Sequence, residues 1–172
     1  MSRPVEFLDA LTALVRASVP FVVVGVGGIN FYAADPADAV VTEDLDLLLA
    51  RDPASLRLAL RVLAELGFAF EAGGEPFLDL DDESALGAAV RAGACVTARH
   101  GSGTTLDLLL GGAGVVWAGG PPDAAVFLIG QVEVRVGRLE RLLRAKRMAG
   151  RPKDLEFLRL FAARFHDPGE SG

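Results

Sequence analysis

Three aspartates lie inside apolar segments of this chain, where their type and spacing suit metal binding. Asp44 and Asp46 alternate with leucines in the predicted strand Asp44–Leu49, and Asp107 lies among leucines in the predicted strand Thr105–Leu110. Residues two apart in a strand point to the same side, so Asp44 and Asp46 should project together. Carboxylates are ligands that Mg²⁺ prefers, and two such ions can align the attacking and leaving oxygens of a phosphoryl transfer. These aspartates are therefore the candidate metal ligands and catalytic residues.

The same acids also have a simpler explanation as solvated surface charges. The chain contains 23 acidic residues, so an Asp-x-Asp pattern arises by chance, and Asp79 with Asp81 forms a second one in a segment predicted to be exposed. Asp107 could instead cap a loop or pair with an arginine. A carboxylate inside an apolar strand is costly without a partner, however. Asp107 therefore favours a shared site with Asp44 and Asp46, provided that the two strands are neighbours.

A glycine-rich turn, Gly25-Val26-Gly27-Gly28, follows the predicted strand Phe21–Val24 and precedes a predicted helix, Ile29–Ala34. Glycines let the backbone approach a ligand closely, and free N–H groups at a helix start can bind phosphate. A turn selected for packing alone would look the same. A dinucleotide-binding fingerprint fits less well, because Asn30 occupies its third glycine position and the acids lie at the wrong end of their strand.

These residues require a sheet flanked by helices. The remaining periodicity predicts interleaved helices and strands, a hairpin around Gly101–Gly103, and a C-terminal helical pair, Arg138–Met148 and Pro152–Phe165. We therefore expect an α/β (α+β) fold with a mixed sheet, forming one domain. Residues 1–137 would form its core, and residues 138–172 a helical segment packed on that core.

Composition and charge indicate which classes of partner and which location to expect. A net charge of −6 and a pI of about 4.9 argue against duplex DNA as a partner. Ten of the 17 Lys and Arg residues nevertheless fall between Arg135 and Arg164, which predicts a local basic face for phosphate-bearing ligands. The single cysteine excludes an internal disulfide, and no signal peptide or membrane span is expected. A cytoplasmic protein is the resulting expectation.

Taken in order, these segments resemble the nucleotidyltransferase superfamily, whose motif is a Gly-Gly turn, an Asp-x-Asp strand and a third acid on another strand. Gly27-Gly28, Asp44-Leu45-Asp46 and Asp107 occupy these positions. The segment from Leu142 through Lys146 to Arg151-Pro152-Lys153-Asp154 is similar to an element of the bacterial AbiEii-type branch of minimal, toxin-like nucleotidyltransferases.

The resemblance implies a Mg²⁺-dependent enzyme that moves a nucleoside monophosphate from an NTP to a tRNA or protein acceptor. Asp44 and Asp46 would bind Mg²⁺ with Asp107, which would also help to activate the acceptor; two ions would fit. Gly27 and Gly28 would hold the terminal phosphates. The other implied nucleotide-binding residues are Thr42, Lys146, Arg151, Lys153 and Asp154. A toxin with a cognate antitoxin, in a bacterial cytoplasm, is a further implication.

One departure from the family pattern is Val40, where this branch often carries an arginine two residues before the threonine, here Thr42. A cation expected near the phosphates is therefore missing. Two alternatives follow: a catalytically weak or inactive binding protein of the same fold, and a small-molecule adenylyltransferase of the antibiotic-modifying type.

Overall fold

The computed structural model describes residues 6–77, 79–111, 117 and 122–165. Within these residues it has six α-helices and one eight-stranded mixed sheet, which confirms the predicted mixed α/β class and its C-terminal helical pair. The helices are α1 (Phe7–Arg16), α2 (Gly25–Ile29), α3 (Pro53–Glu65), α4 (Glu83–Ala92), α5 (Leu139–Ala149) and α6 (Pro152–Phe161). The strands are β1 (Phe21–Val24), β2 (Asp44–Leu49), β3 (Ala69–Ala72), β4 (Glu75–Pro76), β5 (Cys95–Arg99), β6 (Thr105–Leu109), β7 (Ala124–Ile129) and β8 (Val132–Gly137).

The sheet order is β4-β3-β5-β6-β2-β1-β8-β7, so the two strands that carry the candidate acids are central neighbours. β2 runs parallel to β6 and antiparallel to β1. β5 and β6 form the antiparallel hairpin that the turn at residues 101–103 predicts. The register sets Asp46 directly opposite Asp107.

Apolar residues on both sides of the sheet explain this arrangement. All four residues of β1 are buried, as are Leu45 and Leu47–Leu49 in β2, which is typical of strands covered on both faces. Helix α3 contacts both α1 and α4, and α5 contacts α6 and α2. Leu142 of α5 and Phe157 of α6 belong to the hydrophobic core.

The helix after β1 begins earlier than the sequence predicts. α2 starts at Gly25 rather than Ile29, and Asn30–Tyr32 continues it as a 3₁₀ turn. The reason is the backbone of Gly25, whose φ of +66° turns the strand directly into the helix. The last helix is also shorter than predicted, because α6 ends at Phe161 and a 3₁₀ turn follows it.

The ends of the predicted domain ranges, residues 1–5 and 166–172, lie outside the described residues. In the part of the chain that is described, no helix is long and apolar enough to cross a membrane.

Candidate functional site

The three candidate acids meet at one end of the central strands. Asp44 and Asp46 lie one pleat apart on β2, and Asp107 pairs with Asp46 across the parallel β2–β6 ladder. Neighbouring strands are about 4.8 Å apart, so the side chains of Asp46 and Asp107 are adjacent. All three line one cavity of about 460 Å³.

Two carboxyl groups of the acidic strand β2, those of Asp46 and Asp44, have raised pKa values. Burial raises the pKa of Asp46 to about 6, and the charges of Asp107 and Asp44 add to the effect. The pKa of Asp44 is also raised, by partial burial first and then by Asp107. Three like charges held together without a cation are unfavourable, and a bound cation would relieve them. The local electrostatics therefore favour a positively charged ligand beside Asp46.

Asp107 has a fixed orientation. The hydroxyl Oγ1 of Thr97 on β5 donates a hydrogen bond to Oδ1 of Asp107 at 2.8 Å. Thr97 and Asp107 are directly paired in the antiparallel β5–β6 ladder. The half-buried carboxylate is thus held by a side-chain hydroxyl of the neighbouring strand, rather than by a loop N–H or an arginine.

Gly25 keeps the approach to Asp46 open. A Cβ atom built at this position would overlap Oδ2 of Asp46, and the positive φ would strain any other residue. Gly25 and Val26, the first residues of α2, line the cavity beside the acids. Position 25 is a glycine because the end of β1 approaches the carboxyl group of Asp46 so closely.

Opposite the acids, the C-terminal helices supply a group of cations around a buried carboxylate. Asp154 is 1% exposed and accepts hydrogen bonds from Lys146 Nζ at 3.1 Å and from Arg151 Nε at 2.6 Å. The hydrogen bond from Arg151, together with the smaller contribution of Lys146, lowers the pKa of Asp154 to about 2 against the opposing effect of burial. Lys146 Nζ also lies 4.9 Å from the centroid of the Phe157 ring. Asp154 therefore orients two cations toward the cavity.

Eight of the ten residues predicted for the site line this cavity. They are Thr42, Asp44, Asp46, Asp107, Lys146, Arg151, Lys153 and Asp154. The Thr42 hydroxyl donates to the backbone carbonyl of Asp44 at 2.9 Å, which ties the chain before β2 to the strand. The cavity thus has an acidic wall from the sheet and a basic wall from α5 and α6.

Gly27 and Gly28 are the exceptions, because neither lines the cavity. Both are buried within α2. A Cβ at Gly27 would overlap the Leu45 side chain, and a Cβ at Gly28 would lie 3.0 Å from the carbonyl oxygen of Val23. These glycines allow α2 to pack closely on β1 and β2. The residues of this glycine-rich turn that line the cavity are Gly25 and Val26.

Among the residues of the site that were not assigned to it from sequence, Gly25 and Thr97 each had a signal there. Gly25 directly follows the apolar strand Phe21–Val24, where a sharp change of direction was already required. Thr97 is the partner of Asp107 if the predicted hairpin is folded symmetrically about Ser102, as the observed register is.

Mg²⁺ fits this donor set as a shared ion rather than as an enclosed one. Among the described residues, no three or more His, Cys, Asp or Glu side chains form a group that could hold a metal ion by themselves. Mg²⁺ is commonly held by one or two carboxylates, completed by water and substrate phosphates. Asp46 and Asp107 offer such a pair, with Asp44 beside them and the basic wall available for phosphates.

Comparison of the chain with protein-family models, with curated proteins and with solved structures finds no match.

Proposed function

We propose that the protein is a Mg²⁺-dependent nucleotidyltransferase that moves a nucleoside monophosphate from an NTP to an acceptor hydroxyl. The observation that carries the proposal is the placement of Asp46 opposite Asp107 on central strands, facing a basic wall across one cavity. Acids that bind a divalent ion and cations that bind phosphate are the two requirements of phosphoryl transfer.

Each wall has a separate task in this proposal. Asp46 and Asp107 would hold Mg²⁺, with Asp44 beside them, and the bound ion would supply the charge that aligns the attacking and leaving oxygens. Lys146, Arg151 and Lys153 neutralise the charge of the triphosphate; Asp154 sets the positions of the first two. Gly25 and Val26, the first residues of α2, line the same cavity.

The proposed transfer exchanges one oxygen on the α-phosphorus for another. The acceptor oxygen forms a bond to the α-phosphorus, the bond from that phosphorus to the bridging oxygen breaks, and pyrophosphate leaves. Asp107 takes the proton of the acceptor hydroxyl, with Oδ1 held by Thr97 and Oδ2 as the receiving atom.

The acceptor and the biological role remain proposals that follow from the resemblance. A tRNA or a protein is the acceptor in the toxin form of the proposal, and a cognate antitoxin is then the partner. An antitoxin-like reading frame beside the gene would support this form. An antibiotic-type small molecule is the alternative acceptor.

A second candidate function is nucleotide binding without turnover. The observation that favours it is Val40, whose backbone N and O are both hydrogen-bonded by the side chain of Asn30 at 2.8 Å. Val40 also lines an apolar cavity. The position where the branch often carries an arginine therefore supplies no cation.

The deciding experiment combines binding with turnover. Purified protein is incubated with Mg²⁺ and each α-labelled NTP, with total tRNA, a protein extract or an aminoglycoside as acceptor. Label on one acceptor, with pyrophosphate release that is lost in Asp46→Asn and Asp107→Asn but kept in Glu43→Gln, supports the enzyme. Mg²⁺-dependent NTP binding without labelling or pyrophosphate release would assign the binding function. Absence of both metal and NTP binding would refute the two together.

A further inference from the structure

A second cavity of about 430 Å³ adjoins the acid site, and its wall is apolar. It lies between α1, the middle of α2 with the 3₁₀ turn after it, the segment before β2 and the end of β7. No acidic or basic side chain is found among the described residues that line it. Its apolar wall includes the side chains of Leu8, Leu11, Phe31, Val41, Leu45 and Ile129. A cavity of this size is within the range of small-molecule sites.

The polar side chains of this cavity already have partners. The amide of Asn30 donates to the carbonyl of Val40 and accepts from its N–H. The hydroxyl of Thr42 donates to the carbonyl of Asp44. A sugar or a nucleobase would therefore lose hydrogen bonds to water on entry without recovering them, whereas a hydrocarbon group would gain by leaving water.

The two cavities meet at Thr42, which lines both. On β2, Leu45 points into the apolar cavity, while its neighbours Asp44 and Asp46 line the acidic one. Leu45 and Asp46 point to opposite faces of β2. A molecule whose apolar part lies against Leu45 and Val41 therefore reaches the acids around the start of β2, past Thr42. The geometry connects an apolar binding site with the reacting end of the proposed active site.

We infer that the apolar cavity binds the aliphatic or aryl part of the acceptor, so that the acceptor is a small amphipathic alcohol. The assignment of the occupant as acceptor rests on the proposed function. The binding of an apolar group does not, and the two are tested separately.

The binding test uses 3-phenyl-1-propanol as the probe, monitored by protein-observed NMR in EDTA without nucleotide. We expect a dissociation constant of about 1 mM or lower for the wild type. Leu8→Asp and Val41→Asp place a charge at the cavity, and because these residues are 44% and 94% exposed, the fold should tolerate both changes. Each should weaken binding about tenfold or more. Leu128→Asp is the matched control, because Leu128 is 72% exposed and lies outside this cavity.

Equal binding by all variants, or no binding by the wild type, would overturn the inference. A dimer that Leu8→Asp dissociates, with no probe binding, would assign the surface to a second copy and overturn it as well.

The acceptor test measures Mg²⁺-dependent pyrophosphate release with 3-phenyl-1-propanol or with glycerol. We expect the apolar alcohol to be the better acceptor for the wild type, and Val41→Asp to reduce this preference about tenfold. Equal rates with both alcohols, or equal losses with both in Val41→Asp, would refute the acceptor assignment. Probe binding with no release from any acceptor would instead refute the proposed function and leave the binding site in place.

Discussion

Replacing Asp46 with asparagine should stabilise the metal-free protein at neutral pH. The pKa of Asp46 rises from its ordinary value of 3.8 to about 6, because the carboxyl is buried and lies beside Asp107 and Asp44. Between these two pH values the folded state binds more protons than the unfolded state, so stability falls as the pH rises from about 4 to about 6. At 1.36 kcal/mol per pH unit, the full effect above pH 6 is about 3 kcal/mol.

An asparagine side chain at this position cannot ionise and so avoids this loss. We expect Asp46→Asn to exceed the wild type by about 2–3 kcal/mol in free energy of unfolding at pH 8, and by little at pH 4. Urea denaturation followed by circular dichroism at both pH values, in EDTA, measures the difference. Glu43→Gln removes a neighbouring charge from an exposed position and should change stability by less than about 0.5 kcal/mol.

Magnesium should reduce this difference in stability. A ligand that binds only the folded state raises its stability, so about 10 mM Mg²⁺ should raise the Tm of the wild type and leave that of Asp46→Asn almost unchanged. If the difference in free energy of unfolding between Asp46→Asn and the wild type is the same at pH 8 and at pH 4, the proposed repulsion is refuted. An equal Mg²⁺ effect on both proteins would refute the role of Asp46 as a ligand.

Three further predictions concern the surroundings of the acids. Gly25→Ala should lower the free energy of unfolding, measured by urea denaturation, by more than Gly73→Ala does. Both positions have a positive φ, of +66° and +60°, which strains alanine by about 1–2 kcal/mol, but only Gly25 lies against a carboxylate. Asp154→Asn should destabilise the protein by about 3 kcal/mol at pH 7, because it leaves two cations without their buried partner. Since the pKa of Asp154 is lowered to about 2, this difference should shrink as the pH falls from about 4 toward 2, and an unchanged difference at pH 3 would contradict the assignment. Lys153→Ala should raise the KM for NTP about tenfold in a pyrophosphate-release assay, while Arg147→Ala, exposed but outside the cavity, should not.

The acidic wall could be predicted from the sequence because strand geometry is local. Alternation along Asp44–Leu49 fixes which side chains share a face, and the leucines fix which face is buried. The adjacency of β2 and β6 depended on a long-range pairing that periodicity does not encode. Each of the three acids could therefore be identified from the sequence. That they lie together could be predicted only on the condition that β2 and β6 are neighbours.

The basic wall was less predictable. Local charge density located the cations near α5 and α6, but not their fixation by a buried Asp154. The roles of the glycines could not be predicted for a different reason. Gly25, Gly27 and Gly28 are the same residue type in one short segment, yet Gly25 lies against a carboxylate and the other two lie against the core. Only the packing of α2 on the strands separates these roles.

The site is divided along the chain in an order that matters during synthesis. Its acids have emerged by residue 107, but its cations belong to α5 and α6, beyond residue 138. A growing chain therefore holds clustered carboxylates before any of the opposing lysines and arginines exist. Translation that stops before α5 would therefore release a fragment that carries the acidic wall without the basic wall that faces it in the complete protein.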